Sequence, residues 1–156
     1  MAAQKVSPAF TALSLPALDH AGRRGVIVVA ASGNQGSVGG SALARHAAVI
    51  PVVAAGENGR IIDLSNLGRS IGRRGLAAPG ESVESLSPDG GTRRFGGTSA
   101  AASFVTGTAA LLWSLYPAAP AAHIRQAMTR AAGGRRTSIV PPLLDAQAAW
   151  DALRTA

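Results

Sequence analysis

Cysteine is absent from the 156 residues, which excludes disulfides, thiolate nucleophiles and cysteine-ligated zinc, and leaves the redox compartment open. Aromatic residues are scarce at 4%, and only 15% of the chain is charged. With 47% hydrophobic residues, mostly Ala, Val, Leu and Ile, the chain can bury a core and disorder is excluded as its general state. Nineteen Gly and nine Pro break that apolar content into short pieces, which suggests closely packed elements joined by tight loops. The length fits one domain, residues 1–156.

Lysine is nearly missing too. Lys5 is the single lysine among 15 basic residues, which outnumber eight acids for a net charge of +7. Such a balance invites a nucleic-acid reading. The charges, however, fall as isolated pairs, Arg23-Arg24, Arg73-Arg74, Arg93-Arg94 and Arg135-Arg136, with no aromatic interleaving and no periodic basic helix face. Solvated loops are the expectation, and no nucleic-acid partner. No secretory signal is visible in MAAQKVSPAF, so the chain as it stands reads as cytoplasmic. From Phe95 to Ala122 no residue is charged, which is long enough to span a bilayer. The hydroxyls and glycines within it, and Pro117 after Tyr116, favour a fully buried helix of a soluble domain and no membrane partner.

Two β-branched runs, Gly25–Ser32 and Ala48–Ala55, lack in/out alternation and predict strands covered on both faces, as in a parallel sheet. Pro51 is expected at a bulge or at the strand's start. Leu76–Pro79 is a third, short candidate. Helices are predicted over Ala9–Arg24, Thr98–Tyr116, Ala118–Ala132 and Leu144–Leu153, the second apolar around most of its circumference. The order predicts an α/β layer fold with a buried helix in its carboxyl-terminal part.

Chemistry concentrates at two places. At Gly96-Gly97-Thr98-Ser99 a glycine turn runs into the most apolar helix, where free N–H groups and the positive helix end would stabilise an oxyanion beside a serine. The plainer alternative is that Thr98 or Ser99 caps the helix. At Ala31-Ser32-Gly33-Asn34-Gln35-Gly36, ending the first strand, a side-chain amide could donate to the same oxyanion. The plainer alternative there is a turn asparagine at positive φ.

Together these residues resemble the subtilisin-like (S8) serine peptidases. The serine motif of that family, Gly-Thr-Ser-x-Ala-x-Pro-x-Val-x-Gly, is similar to Gly97 through Gly107, and its Ala-Ala-Gly-Asn-x-Gly to Ala31 through Gly36. Ala78-Pro79-Gly80 and Leu64-Ser65-Asn66-Leu67-Gly68 resemble two further family motifs in the same order. The resemblance implies a partial doubly wound parallel sheet of the subtilisin type, with a central helix starting at the nucleophile. It implies that Ser99 forms an acyl-enzyme during peptide-bond hydrolysis, with its own N–H and the Asn34 amide as oxyanion donors. Ala31, Ser32 and Gly33 would line a wall of the pocket for the residue before the scissile bond. Gly97 and Thr98 would let the chain turn sharply enough to present Ser99. The implied partner is a peptide or protein substrate, with no cofactor. The acidic residues do not cluster, so no metal is expected.

Two departures bear on activity. Ser103 and Phe104 stand where the family has proline and histidine. More consequentially, the family's catalytic Asp and His precede the matched region, and no aspartate is spaced to pair with His20, His46 or His123. A serine without a base is a poor nucleophile. The expectation is therefore an inactive half-domain that needs a missing amino-terminal half or a complementing chain. The rival is a non-catalytic pseudo-peptidase module for binding or scaffolding. A half-fold should also expose faces prone to self-association.

Overall fold

The computed structural model describes residues 8–130 and 137–155. Helix α1 (Pro8–Arg23) leads into strand β1 (Val28–Ala31), followed by α2 (Ala42–Arg45), β2 (Val49–Ala55), α3 (Arg69–Arg74) and β3 (Leu76–Pro79). A hairpin of β4 (Val83–Leu86) and β5 (Thr92–Phe95) precedes α4 (Thr98–Leu115), α5 (Ala121–Arg130) and α6 (Ala146–Arg154). The sheet is parallel in the order β1-β2-β3. Its helical crossovers are what parallel neighbours require.

β2 is buried at every position, and its pleat divides the core. Ile50, Val52 and Ala54 join Ala101, Val105, Ala109 and Leu112 of α4 with Ile124, Met128 and Ala149 beyond. Val53 and Ala55 face Ala44 of α2 and Ile71 of α3. Helices thus cover both faces, which explains why β2 reads as a continuous apolar run. Pro51 is neither at a bulge nor at the strand's first residue: it pairs with Ala30 inside the central strand. It is tolerated because the β2–β3 ladder begins only at Val52↔Leu76. The Pro51 carbonyl points at Gly75, where an added Cβ would lie 2.5 Å away. Its nitrogen shares that edge, so the missing donor falls where there is no ladder to break.

α4 is central to the packing, yet it is buried along one stripe only: Thr98, Ala101, Val105, Ala109 and Leu112. Phe104, Leu111 and Leu115 on its other side are 42%, 69% and 63% exposed. The fully buried helix expected from composition is therefore half uncovered, and by length and apolarity alone α4 would pass for a membrane span. The sheet edges differ in the same way. The segment around Leu143 covers β3, with Ala77 N–H donating to Pro142 and Leu144 N–H donating to Ala77, both at 2.7 Å. Among the described residues nothing pairs with the outer edge of β1, whose four residues are only half-buried.

Not every arginine is a loop charge. Arg74 donates to the carbonyls of Arg45 (2.7 Å) and His46 (3.3 Å), and Arg125 to those of Ala47 (2.6 Å) and Val49 (3.3 Å). These bonds fasten α3 and α5 to the connection entering β2. Burial, reinforced by the Arg74 charge, pulls the Arg125 pKa below its ordinary value. Arg135-Arg136 and the end of the helix expected to reach Ala132 lie outside the described residues.

One-sided burial of α4 has a measurable consequence. Val105→Ala should cost about 2 kcal/mol in urea denaturation, from lost transfer energy and a residual cavity, while Leu111→Ala stays within about 0.5 kcal/mol. Equal losses would mean that both faces of α4 are packed.

Candidate active site

The site forms where the carboxyl end of β1 meets the amino end of α4. The cap position of α4 is Gly97 (φ 91°), which has no side chain to offer. Neither Thr98 nor Ser99 caps the helix. Asn34 does so from 64 positions away: its Oδ1 accepts the Thr98 backbone N–H and the Thr98 hydroxyl, each at 2.9 Å. The Thr98 hydroxyl also accepts from the Gly33 N–H at 3.3 Å. Thr98 is fully buried and Asn34 exposed.

These bonds orient the amide. With Oδ1 occupied by two donors, Nδ2 is the end left for another acceptor, and it donates to nothing among the described residues. Asn34 is not the positive-φ turn residue considered as an alternative: Gly33 (106°) and Gly36 (60°) take those conformations. Gly97 is needed for space as well as for φ, because a Cβ there would sit 3.0 Å from Asn34 Nδ2 and Oδ1. Gly80, ending Ala78-Pro79-Gly80, accepts the Gly97 N–H at 2.7 Å and so docks the end of β3 against the same turn.

Ser99 lies one residue into the helix and is exposed. Helix bonding begins with Ala101 N–H to Gly97 O at 3.3 Å, and Asn34 takes the Thr98 N–H. The Ser99 and Ala100 N–H groups remain without an acceptor among the described residues, beside the positive end of an 18-residue helix. Ser103, standing where the family has proline, donates its hydroxyl to the Ser99 carbonyl at 3.3 Å.

Two clefts meet at Gly96. One of about 640 Å³ runs from Ser99 along the outer face of α4 past Phe104 and Leu111, walled by Phe95 and the β4 hairpin strand. The other, about 500 Å³, is lined by Asn34, Gly97, Leu64, Asp63 and Glu81. No histidine lines either cleft. His20 and His123 are exposed on α1 and α5. His46 does pair with an aspartate, against the expectation from spacing: its Nε2 lies 3.2 Å from Asp19 Oδ1, while Nδ1 accepts the Ala48 N–H at 3.2 Å. That pair closes the amino-terminal end of β2, a strand of seven residues and so about 20 Å long, away from Ser99. It joins α1 to the entry of β2.

The substrate-wall residues divide. Ala31 and Gly33 are half-buried. Ser32 is 2% exposed and its Oγ finds no hydrogen-bond partner among the described residues, so this side chain is packed inside. Its carbonyl is engaged by Asn66, a residue of the Leu64–Gly68 motif whose part in the site was not read from the sequence.

A parallel α/β layer presenting an exposed serine at a helix start, beside a side-chain amide at a strand end, defines the class of subtilisin-like serine peptidases. The subtilase family model, Peptidase S8, matches residues 2–150. The chain belongs to that family. Subtilisin DY of Bacillus licheniformis is 36% identical over 120 residues, covering 74% of this chain and 43% of the relative. Alkaline elastase YaB of Bacillus sp. (strain YaB) is 34% identical over 145 residues, 92% of this chain and 38% of the relative. The chain thus spans about two-fifths of the length of these relatives. Among solved structures, the self-cleaved protease domain of PatA superposes with a TM-score of 0.81 at 29% identity, over 100% of this chain and 59% of that one.

Two substitutions separate the buried hydroxyls. Thr98→Val, isosteric and still able to donate its backbone N–H to Asn34 but without the hydroxyl that bonds Asn34 and Gly33, should lower stability by about 1–3 kcal/mol; Ser32→Ala should leave it unchanged or raise it by about 1 kcal/mol, since its hydroxyl is buried without a partner among the described residues. Calorimetric melting of both variants checks the contrast.

Proposed function

We propose that this chain is the carboxyl-terminal, nucleophile-bearing part of a serine endopeptidase. Ser99 Oγ attacks the scissile carbonyl, and the tetrahedral oxyanion is held by the Ser99 N–H and Asn34 Nδ2. The single observation that carries this reading is the Asn34 amide, fixed through Oδ1 by Thr98, the residue before the serine, while its Nδ2 donates to nothing among the described residues. Gly97 gives the turn its shape. Ala31 and Gly33, with the Ser32 backbone, form one wall for the residue preceding the cleaved bond. A peptide as ligand is supported by a structural neighbour, the PatG macrocyclase in complex with peptide, at 25% identity and TM-score 0.81.

The base must come from outside this sequence. We place the docking of the segment that bears Asp and His on the apolar outer face of α4, which shares a cleft with Ser99, and on the open edge of β1, both uncovered among the described residues. Without it the hydroxyl has no proton acceptor, and the isolated chain does not turn over. The absence of a histidine from both clefts also favours the second reading, a pseudo-peptidase binding module. The exposed α4 face would make either form self-associate when alone.

Fluorophosphonate labelling decides between them. The chain alone should stay unlabelled, and addition of an upstream segment or a subtilase amino-terminal half should produce labelling that disappears in Ser99→Ala. Asn34→Ala should slow it by about 10²–10³-fold, the loss known for an oxyanion donor, subtilisin's own included. No labelling in any combination, with the chain folded, would leave the binding module. Leu111→Glu should abolish self-association on a sizing column without unfolding the chain.

A further inference from the structure

We propose that Asn66 is the positioning residue that holds the Asn34 loop in its donating shape. This rests on the oxyanion role proposed for Asn34. The Ser32–Ser37 loop makes its main turns around one side chain. Asn66 Oδ1 accepts the backbone N–H groups of Gln35 at 3.1 Å and Ser37 at 3.0 Å. Asn66 Nδ2 donates to the Ser32 carbonyl at 3.2 Å and to Gln35 Oε1 at 2.7 Å. The Asn66 backbone N–H donates to the Gly33 carbonyl at 2.9 Å. Residues 32, 33, 35 and 37 are therefore all tied to residue 66, on both sides of Asn34. Asn66 is buried, at 7% exposed, and its amide makes two acceptances and two donations, which uses its capacity in full.

Asn66 is itself held to the centre of the sheet. The preceding Ser65 hydroxyl accepts the Ala54 N–H at 3.1 Å and donates to the Ala54 carbonyl at 3.3 Å, both on β2. The fit also accounts for a glycine: a Cβ on Gly33 would run into Asn66 Nδ2. Position and orientation of the donor are thus set separately. Asn66 places the Asn34 backbone, while Thr98 turns its carboxamide. A donor is useful only when it already lies where the oxyanion forms, and a misplacement of about 1 Å can cost about 10²-fold in rate.

The first arm of the test needs no activity. In nitrogen-15 spectra and hydrogen exchange of the chain, Asn66→Ala should shift the Asn34 side-chain amide resonances and speed exchange of the Gln35 and Ser37 amides at least tenfold. Amides of β2 should be unaffected. Asn66→Asp keeps the two acceptances, so Gln35 and Ser37 should stay protected while the Asn34 resonances shift. Unchanged Asn34 resonances in both variants would overturn the proposal whatever the chain's activity. The second arm is a double-mutant cycle on fluorophosphonate labelling of the assembled peptidase. Asn66→Ala should slow labelling by about 10-fold to 10²-fold and by less than about twofold in an Asn34→Ala background. An equal loss in both backgrounds would mean that Asn66 acts on stability and not through Asn34.

Discussion

The pair of hydrogen bonds from Thr98 to Asn34 Oδ1 is the constraint on which this site depends. They satisfy a helix N–H that its own cap residue, Gly97, cannot reach. They join the strand that ends at Ala31 to the helix that carries Ser99. By engaging the oxygen of the amide they leave the nitrogen as the end of a cleft-lining residue that has no partner among the described residues. One short contact thus caps a helix, closes two layers of the fold and aims a donor. Its cost to the sequence is space, met by Gly97 and Gly33, where added Cβ atoms would collide with Asn34 and Asn66.

Around this contact the chain is stable in one direction and open in the other. Toward the interior, β2 is buried on both faces and α3 and α5 are fastened to its entry by arginine–carbonyl bonds. Toward the outside, among the described residues, the apolar face of α4 that shares a cleft with the serine is uncovered, as is the edge of β1. The chain spans about two-fifths of the length of its subtilisin relatives, and the docking proposed for a segment that bears a base uses this uncovered surface. The proposed chemistry and the proposed docking thus meet at one surface.

Much of this was legible in the residues. The unbroken Val-Ile-Pro-Val-Val run announces a strand buried on both sides, the Val-Ile-Val-Val run announces a strand that proves only half-buried, and the glycine turn ahead of Thr98 marks the start of α4. What escaped has physical reasons. β4 and β5 are largely exposed, so no alternation of apolar residues records them, and α2 and α3 have four and six residues, too few for a periodic pattern. The burial of α4 was overread because composition reports what a helix could bury and not what is present to cover it. Asn66 stood within a motif similar to one of the family, but its part in the loop depends on contacts across 29 to 34 positions, which spacing in a sequence does not reveal. Asp19 and His46 were missed for the same reason.

The central claim is that the oxyanion donor is already built in this chain, before any base arrives. The scalar coupling carried across a hydrogen bond, between the Thr98 amide nitrogen and the Asn34 carboxamide carbon, tests it most directly. The account predicts that this coupling is resolved in the isolated chain and unchanged when a complementing segment is added. A coupling that is absent from the folded chain, or that arises only on addition of the segment, would contradict it and make the donor a product of assembly.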